Sequence, residues 1–167
     1  KFEYILADIW FGAKKNMEFV HYDMKKKFIF GAKANRLIAL SKEAVKKDQY
    51  QNLSTLPIKD GEKRIVWLKN LSFPVALIVK VFKNEDGSTG TLYLVTNDLE
   101  SSADRIYEVY QKRWRIEEYH KSIKQNASLE KSPTKVVRSQ KNHIFASIIA
   151  YCKLEFLKTK TSLSHFG

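Results

Sequence analysis

The stretch that decides the fold class covers residues 3–32 and reads EYILADIWFGAKKNMEFVHYDMKKKFIFGA. Residues 3–8 form a short apolar run that predicts a buried strand. Residues 13–26 predict a helix, because their apolar side chains recur at three- and four-residue spacing. Residues 28–32 predict a second buried strand. This order of strand, helix and strand favours parallel pairing in an α/β sheet.

Asp8 ends the first predicted strand. Open α/β sheets place their functional sites at the carboxyl ends of parallel strands, so Asp8 is a candidate site residue. Taken alone, Asp8 is also typical of an ordinary turn residue at a strand end. A motif on a later helix separates the two interpretations.

The middle of the chain predicts an antiparallel β unit. Residues 64–70, 73–83 and 91–96 are rich in β-branched and aromatic residues. Between the last two, residues 84–90 read NEDGSTG, which is typical of a hairpin loop. Residues 36–60 are polar and have no clear period. We therefore expect the β unit to be inserted in the α/β frame.

Two helices are predicted to complete the chain. Residues 101–104 resemble a capping box, and the helix that they open is expected to run to about Gln125. Ser132 and Pro133 predict the start of another helix, which continues to about Lys158.

Composition excludes several classes of protein. The chain has 167 residues, of which 44% are hydrophobic, so it is too apolar for a disordered basic tail. No apolar run approaches the roughly 18 residues that a membrane helix needs, and a single cysteine, Cys152, excludes an internal disulfide framework. The formal net charge of +12 predicts attraction to polyanions.

The positive charge is concentrated in residues 110–141. This segment holds nine Lys or Arg and three Glu, so it carries half of the net charge of +12. Tyr110, Trp114 and Tyr119 are interleaved with the cations. Basic side chains contact phosphates and flat rings stack on bases, so the segment suits nucleic acid. A solvated helix face has a similar composition, and composition alone leaves both interpretations open.

Four polar side chains of the first of these helices share one face. At 100° per residue, Tyr110, Arg113, Glu117 and Lys124 fall within a sector of about 60°. The apolar positions of the same helix form a separate stripe that can dock on a sheet. A carboxylate flanked by tyrosine, arginine and lysine is typical of a metal ligand beside a phosphate clamp.

The spacing Tyr110-x2-Arg113-x3-Glu117-x6-Lys124 resembles the signature of one large group of bacterial insertion-sequence transposases. These enzymes belong to the DDE superfamily and have an RNase H-like fold. The resemblance extends over essentially the whole chain. Besides the signature, three segments are similar to that group, namely residues 7–12, 28–36 and 92–98.

The resemblance implies an architecture in three parts. Residues 1–36 correspond to an RNase H-like segment with the second catalytic Asp, and residues 37–91 to a β-strand insertion. Residues 92–167 correspond to the final strand segment, the helix of the catalytic Glu and the C-terminal helix. The first strands of an RNase H-like domain have no counterpart here, so the expected fold is α/β and a partial RNase H-like domain.

The resemblance also implies chemistry, namely endonuclease cleavage and strand transfer in DNA transposition, a form of DNA recombination. Asp8 matches the second catalytic Asp and Glu117 the catalytic Glu, which together with a first Asp hold two Mg²⁺ ions, with Mn²⁺ as an alternative. Such ions assist hydrolysis at the transposon end and then attack of the freed 3′-OH on target DNA. The DNA-binding side chains expected from this comparison are Tyr110, Arg113, Lys124, Lys121 and Trp67.

Two of these roles have competing interpretations. Trp67 lies in a predicted strand of the β unit, so it is expected either to fill the core, which is favoured, or to stack on an unpaired base. Lys121 lies near the polar sector and would add a phosphate contact.

The chain departs from the family pattern at its beginning, because nothing precedes residue 3 to supply the first Asp. We therefore expect the C-terminal part of a longer transposase, inactive on its own. The implied partners are double-stranded DNA, as transposon ends and as target, and a second copy in a homodimer. The implied location is the bacterial cytoplasm, without membrane association. The alternatives are a non-catalytic DNA-binding remnant of the same fold and an RNase H-like nuclease or resolvase without strand transfer.

Overall fold

The computed structural model describes residues 2–132 and 134–161, and it has a mixed α/β fold with a sheet of seven strands. The strand order is β1-β2-β7-β6-β5-β3-β4. The bounds of the strands are Tyr4–Ala7 for β1, Lys27–Ala32 for β2, Leu37–Ala39 for β3, Gln51–Asn52 for β4, Lys63–Leu68 for β5, Val75–Lys83 for β6 and Thr89–Thr96 for β7. The helices are Lys14–Glu18 for α1, Lys42–Lys46 for α2, Ala103–Gln111 for α3, Trp114–Gln125 for α4 and Val137–Thr161 for α5.

The predicted strand–helix–strand unit is confirmed. Strands β1 and β2 pair in parallel, with Tyr4 opposite Lys27 and Ala7 opposite Phe30. Helix α1 and a following π-helical turn, Phe19–Asp23, connect them. The β unit is antiparallel as expected, and its strand β7 pairs directly with β2, so one sheet continues from β1 through the middle of the chain.

The sheet has a hydrophobic core on each face, because side chains alternate along a strand. On β2, Phe28 and Phe30 belong to a core that also contains Met17 of α1. Ile29, between them, belongs to a second core that contains Ile106 of α3. Phe28, Ile29, Phe30 and Ile106 are almost fully buried. Helices on both faces explain why β2 is apolar from Phe28 to its end.

The long helix predicted for residues 101–125 is interrupted, and that prediction is wrong. Ser102, one residue of the predicted capping segment 101–104, caps α3, with its hydroxyl accepting a hydrogen bond from the Arg105 amide. The helix ends at Gln111, and Lys112 bonds to the Val109 carbonyl three residues back. A new helix, α4, begins at Trp114. The chain divides into two compact units at the same place, one ending at Lys112 and the other beginning at Arg113.

In the second unit α4 packs against α5 through Tyr119 and Tyr151, whose ring centroids are 4.8 Å apart. Helix α5 begins at Val137, later than the start predicted from Ser132 and Pro133, of which Pro133 lies outside the described residues. The hydroxyl of Thr134 accepts a hydrogen bond from the Val136 amide just before this helix. None of the helices in the described ranges is both long and apolar enough to span a bilayer.

A buried carboxylate joins β1 and β2 to the loop before α3. Asp98 is 2% exposed and accepts hydrogen bonds from the hydroxyls of Tyr4 and Ser101, the latter at 2.7 Å. The Lys27 ammonium lies 3.1 Å from the same carboxylate. Burial alone would raise the pKa of Asp98, but these hydrogen bonds outweigh burial and hold its pKa well below the usual range.

The lowered pKa of Asp98 predicts loss of stability in acid. An aspartate in the unfolded chain has a pKa of about 3.9, so the contribution of Asp98 is fully present above about pH 5. It falls as the pH drops below about 4 toward the lowered pKa of the folded state. We expect the difference in urea midpoint between the native chain and Asp98→Asn to shrink between pH 6 and about pH 3. A difference that stays constant over this range would contradict the prediction.

Candidate active site

Asp8 lies directly after β1 and begins a single 3₁₀ turn, Ile9–Phe11. Its Oδ1 accepts a hydrogen bond from the Trp10 amide at 2.9 Å, which fixes the carboxylate against the turn. Within the described ranges, Asp8 Oδ2 has no hydrogen-bond donor. The half-buried Asp8 therefore keeps one oxygen available at the end of the strand.

Two glycines allow the turn after β1 to lie close to β2. A Cβ on Gly31 would lie 2.9 Å from the Ile9 nitrogen, and a Cβ on Gly12 would lie 2.8 Å from the Gly31 carbonyl oxygen. Both neighbours are backbone atoms, which cannot swing aside as a flexible side chain can. The position of Asp8 thus depends on the absence of a side chain at residue 31.

The substitution Gly31→Ala should displace the turn that carries Asp8. Because the added methyl would contact backbone, we expect a loss of about 1–3 kcal/mol in the free energy of unfolding, the usual cost of overpacking. The midpoint of urea unfolding measures this loss. A variant as stable as the native chain would show that the two backbone segments separate easily.

A shallow cleft of about 460 Å³ opens beside this turn. Its polar lining comes from the segments that follow β1, β2 and β5, and consists of Trp10, Lys33, Asn35, Arg36, Lys69 and Asn70. Among the residues that the structure describes, no acidic side chain lines it. Arg36 is held in place by a 2.8 Å hydrogen bond from Nη1 to the Gly12 carbonyl. Burial lowers the pKa of Arg36, although arginine remains protonated at neutral pH.

The four residues of the helical motif are divided between two helices. Tyr110 lies on α3 in the first unit and is 7% exposed, within the core that contains Ile106. Arg113, Glu117 and Lys124 belong to the second unit, on α4 or at its start. The single polar face predicted for one continuous helix therefore does not hold for Tyr110, which lies on α3 rather than α4.

Within the second unit the structure brings Arg113 and Glu117 together. Arg113 Nη1 lies 3.4 Å from Glu117 Oε1, an i,i+4 pair at the start of α4. The Glu117 side chain remains 54% exposed, so its carboxylate is accessible to solvent. Lys124 is exposed and pairs with Glu130 at 2.7 Å, and Lys121 is exposed on the same helix.

The described residues do not form a complete metal site. Asp8 and Glu117 offer carboxylate oxygens, the ligand type that Mg²⁺ prefers. In residues 2–132 and 134–161, however, no three His, Cys, Asp or Glu side chains are grouped closely enough to hold an ion. The donor type fits a divalent ion and the number of donors does not.

Trp67 and Trp10 differ in exposure. Trp67 lies on β5 opposite Ala39 and is half-buried, whereas Trp10 is 80% exposed. Sequence reasoning assigned no role to Trp10, Lys33, Arg36 or Lys69. Trp10, Lys33 and Arg36 follow predicted strands, which was the available signal, whereas Lys69 lies within the strand predicted for residues 64–70. Only the fold shows that three separate segments meet at one cleft.

Known protein sequences match this chain over most or part of its length. A family model described as a transposase DDE domain matches residues 1–153. A probable transposase for insertion sequence element IS5377 of Geobacillus stearothermophilus is 30% identical over 83 residues. That alignment covers 50% of this chain and 22% of the relative, so the matched part is about a fifth of the relative's length.

Proposed function

Because the chain belongs to the family of transposase DDE domains, we propose that it is part of the catalytic domain of an insertion-sequence transposase. The observation that carries the proposal is the position of Asp8. It ends the first of two parallel strands, keeps one carboxylate oxygen available and lies beside a cleft that is lined by cations. A reaction at a phosphodiester needs both an acidic ligand set and positive charge for the phosphates.

We propose that Asp8 and Glu117 are catalytic carboxylates that hold divalent metal ions. DDE transposase domains generally use such ions, and Mg²⁺, with Mn²⁺ as a substitute, suits carboxylate ligands. The ions would stabilise charge on the oxygens of a phosphoryl transfer. A further carboxylate is needed to complete the ligand set, because the described residues group no three such side chains, so Asp8 and Glu117 alone are expected to be inactive.

The proposed roles of the remaining motif residues differ with their burial. Lys121 and Lys124 are exposed on α4, and Arg113 directly precedes the helix with its side chain 19% exposed. All three are proposed to contact phosphates of transposon-end DNA. Tyr110 is proposed to act through its hydroxyl, since its ring lies in the core. Trp67 is proposed as a secondary contact. The proposed substrate is double-stranded DNA, with a homodimer acting on paired ends in the bacterial cytoplasm.

The proposed fold is a partial RNase H-like domain. The supporting feature is the parallel pair β1 and β2, joined through α1, with the β unit of residues 37–91 extending the same sheet. Residues 1–36, 37–91 and 92–167 remain the proposed segments of that architecture.

A strand-transfer assay tests this function. The protein encoded by the open reading frame that contains this chain is incubated with Mg²⁺, a plasmid that carries the insertion sequence with its own ends, and target DNA. We expect cleavage at the ends followed by covalently joined product. Nicks without joined product would instead identify a nuclease or resolvase. DNA binding without any cleavage would identify a non-catalytic remnant.

A further inference from the structure

Trp10 is held by its backbone and leaves its ring open to solvent. Its amide donates to Asp8 Oδ1, and the turn continues with the Phe11 amide bonded to the Asp8 carbonyl at 3.2 Å. The indole is nevertheless 80% exposed. An aromatic ring of this size normally buries most of its surface, so this fixed and exposed indole is available for stacking.

A cation lies over the indole of Trp10. Lys33 Nζ is 5.7 Å from the centroid of the ring, within the range of a cation–π contact. Across the described residues Lys33 forms no ion pair with a carboxylate. One ring face and one unpaired ammonium group therefore lie next to each other at the rim of the cleft.

The rest of the cleft favours a polyanionic strand. Arg36 and Lys69 add positive charge to Lys33, and Asn35 and Asn70 add amides that can both donate and accept hydrogen bonds. Lys69 is partly neutralised by Asp48, at 3.5 Å. The backbone of Gly12 and Gly31 also lines the cleft.

We propose that this cleft binds one unpaired nucleotide of a DNA strand, with its base stacked on Trp10 and its phosphate near Lys33. Aromatic stacking does not depend on the identity of the base, while the cations follow the backbone. The proposal rests on the proposed function, because it places a DNA strand beside Asp8. The base stacking that was one of two expectations for Trp67 would then belong to Trp10.

The test measures binding without catalysis. A labelled oligothymidylate of about ten nucleotides, within the usual range of site sizes, is titrated with the chain in EDTA and followed by fluorescence anisotropy. The comparison ligand has the same length and consists of abasic residues. We expect Trp10→Ala to weaken binding of oligothymidylate about tenfold and to leave binding of the abasic strand unchanged. Trp10→Phe, which keeps a ring, should retain most of the affinity.

The matched control is Phe2→Ala, since Phe2 is also an exposed ring, at 55%, and also has a cation, Lys26, over its ring at 5.5 Å. It should not change the preference for bases over abasic residues. Lys33→Gln should weaken binding of both ligands. It should also reduce the slope of the logarithm of the binding constant against the logarithm of the salt concentration by about 0.7, as for one phosphate of a single strand. Trp10→Ala should leave that slope unchanged.

Three results would overturn the proposal: Trp10→Ala binding oligothymidylate like the native chain, equal losses on both ligands, or binding of an acidic peptide in place of DNA. Far-UV circular dichroism of each variant separates lost binding from lost folding. Because no divalent ion is present, this outcome does not depend on whether the chain transfers strands. Failure of strand transfer with intact base-dependent binding would reject the proposed function alone.

Discussion

Replacing Asp98 by asparagine should lower the free energy of unfolding by about 2–4 kcal/mol. The carboxylate is almost fully buried and accepts bonds from Tyr4, Ser101 and Lys27 together. The neutral amide keeps the shape, but its nitrogen would face donors and would leave Lys27 without its buried partner. The expected loss of stability is smaller than for a fully buried ion pair, because the Lys27 side chain is 38% exposed.

Asp104→Asn provides the matched control for this substitution. Asp104 makes the same type of contact, an ion pair with Lys80 at 3.5 Å, but its side chain is 91% exposed. Exposed pairs contribute about 0–1 kcal/mol, so this variant should unfold close to the native urea midpoint. Equal losses for the two variants would show that burial of Asp98 has no energetic consequence.

Asp8→Asn and Glu117→Gln should each reduce strand transfer by about a thousandfold or more in the complete reading frame. Each change removes one negative charge from the proposed ligand set while retaining the side-chain volume, and loss of one transition-state group in a preorganised site commonly costs about 10²–10³ in rate. Loss of a metal ligand is expected at or beyond the upper end of this range. Binding of transposon-end DNA should persist, so the variants separate chemistry from recognition.

Neighbouring carboxylates control for charge alone. Glu118→Gln changes the adjacent position on α4, and Asp23→Asn changes an exposed aspartate between β1 and β2. Both variants should retain nearly full strand transfer. If Glu117→Gln and Glu118→Gln were equally active, the assignment of Glu117 would be wrong, and full activity of Asp8→Asn would reject Asp8 in the same way.

The parallel pair β1 and β2 could be predicted from the sequence because its information is local. Apolar runs of strand length flank a segment of helical period, and the cores on both faces of β2 follow from its uninterrupted apolar residues. The capping residue Ser102 was predictable for the same reason, since a cap depends on the residues that follow it directly.

The break between α3 and α4 could not be predicted, because no glycine or proline marks it. Residues 110–115 read YQKRWR, which favours a continuous helix by propensity. The network of Asp98 was missed for a different reason. Its partner Tyr4 is 94 positions away, and no local pattern specifies such a contact.

The apolar residues of α5 show the limit of hydrophobicity as evidence of burial. Cys152, Phe145 and Phe156 are exposed although all three side chains are apolar. An apolar side chain is a candidate for burial only when another element covers it, and the sequence of one helix does not say which element does so.

Strand β1 stands at the end of the strand order, with β2 as its neighbour on one side. Its other side presents backbone amides and carbonyls that no described strand pairs, along a half-buried run of Tyr4–Ala7 that contains neither proline nor an inward-pointing charge. Such an edge is a template for adding a further strand in register. In a solution of these residues alone, the same edge would allow the sheets of two molecules to pair. Self-association would then begin at β1, the strand that Asp8 directly follows.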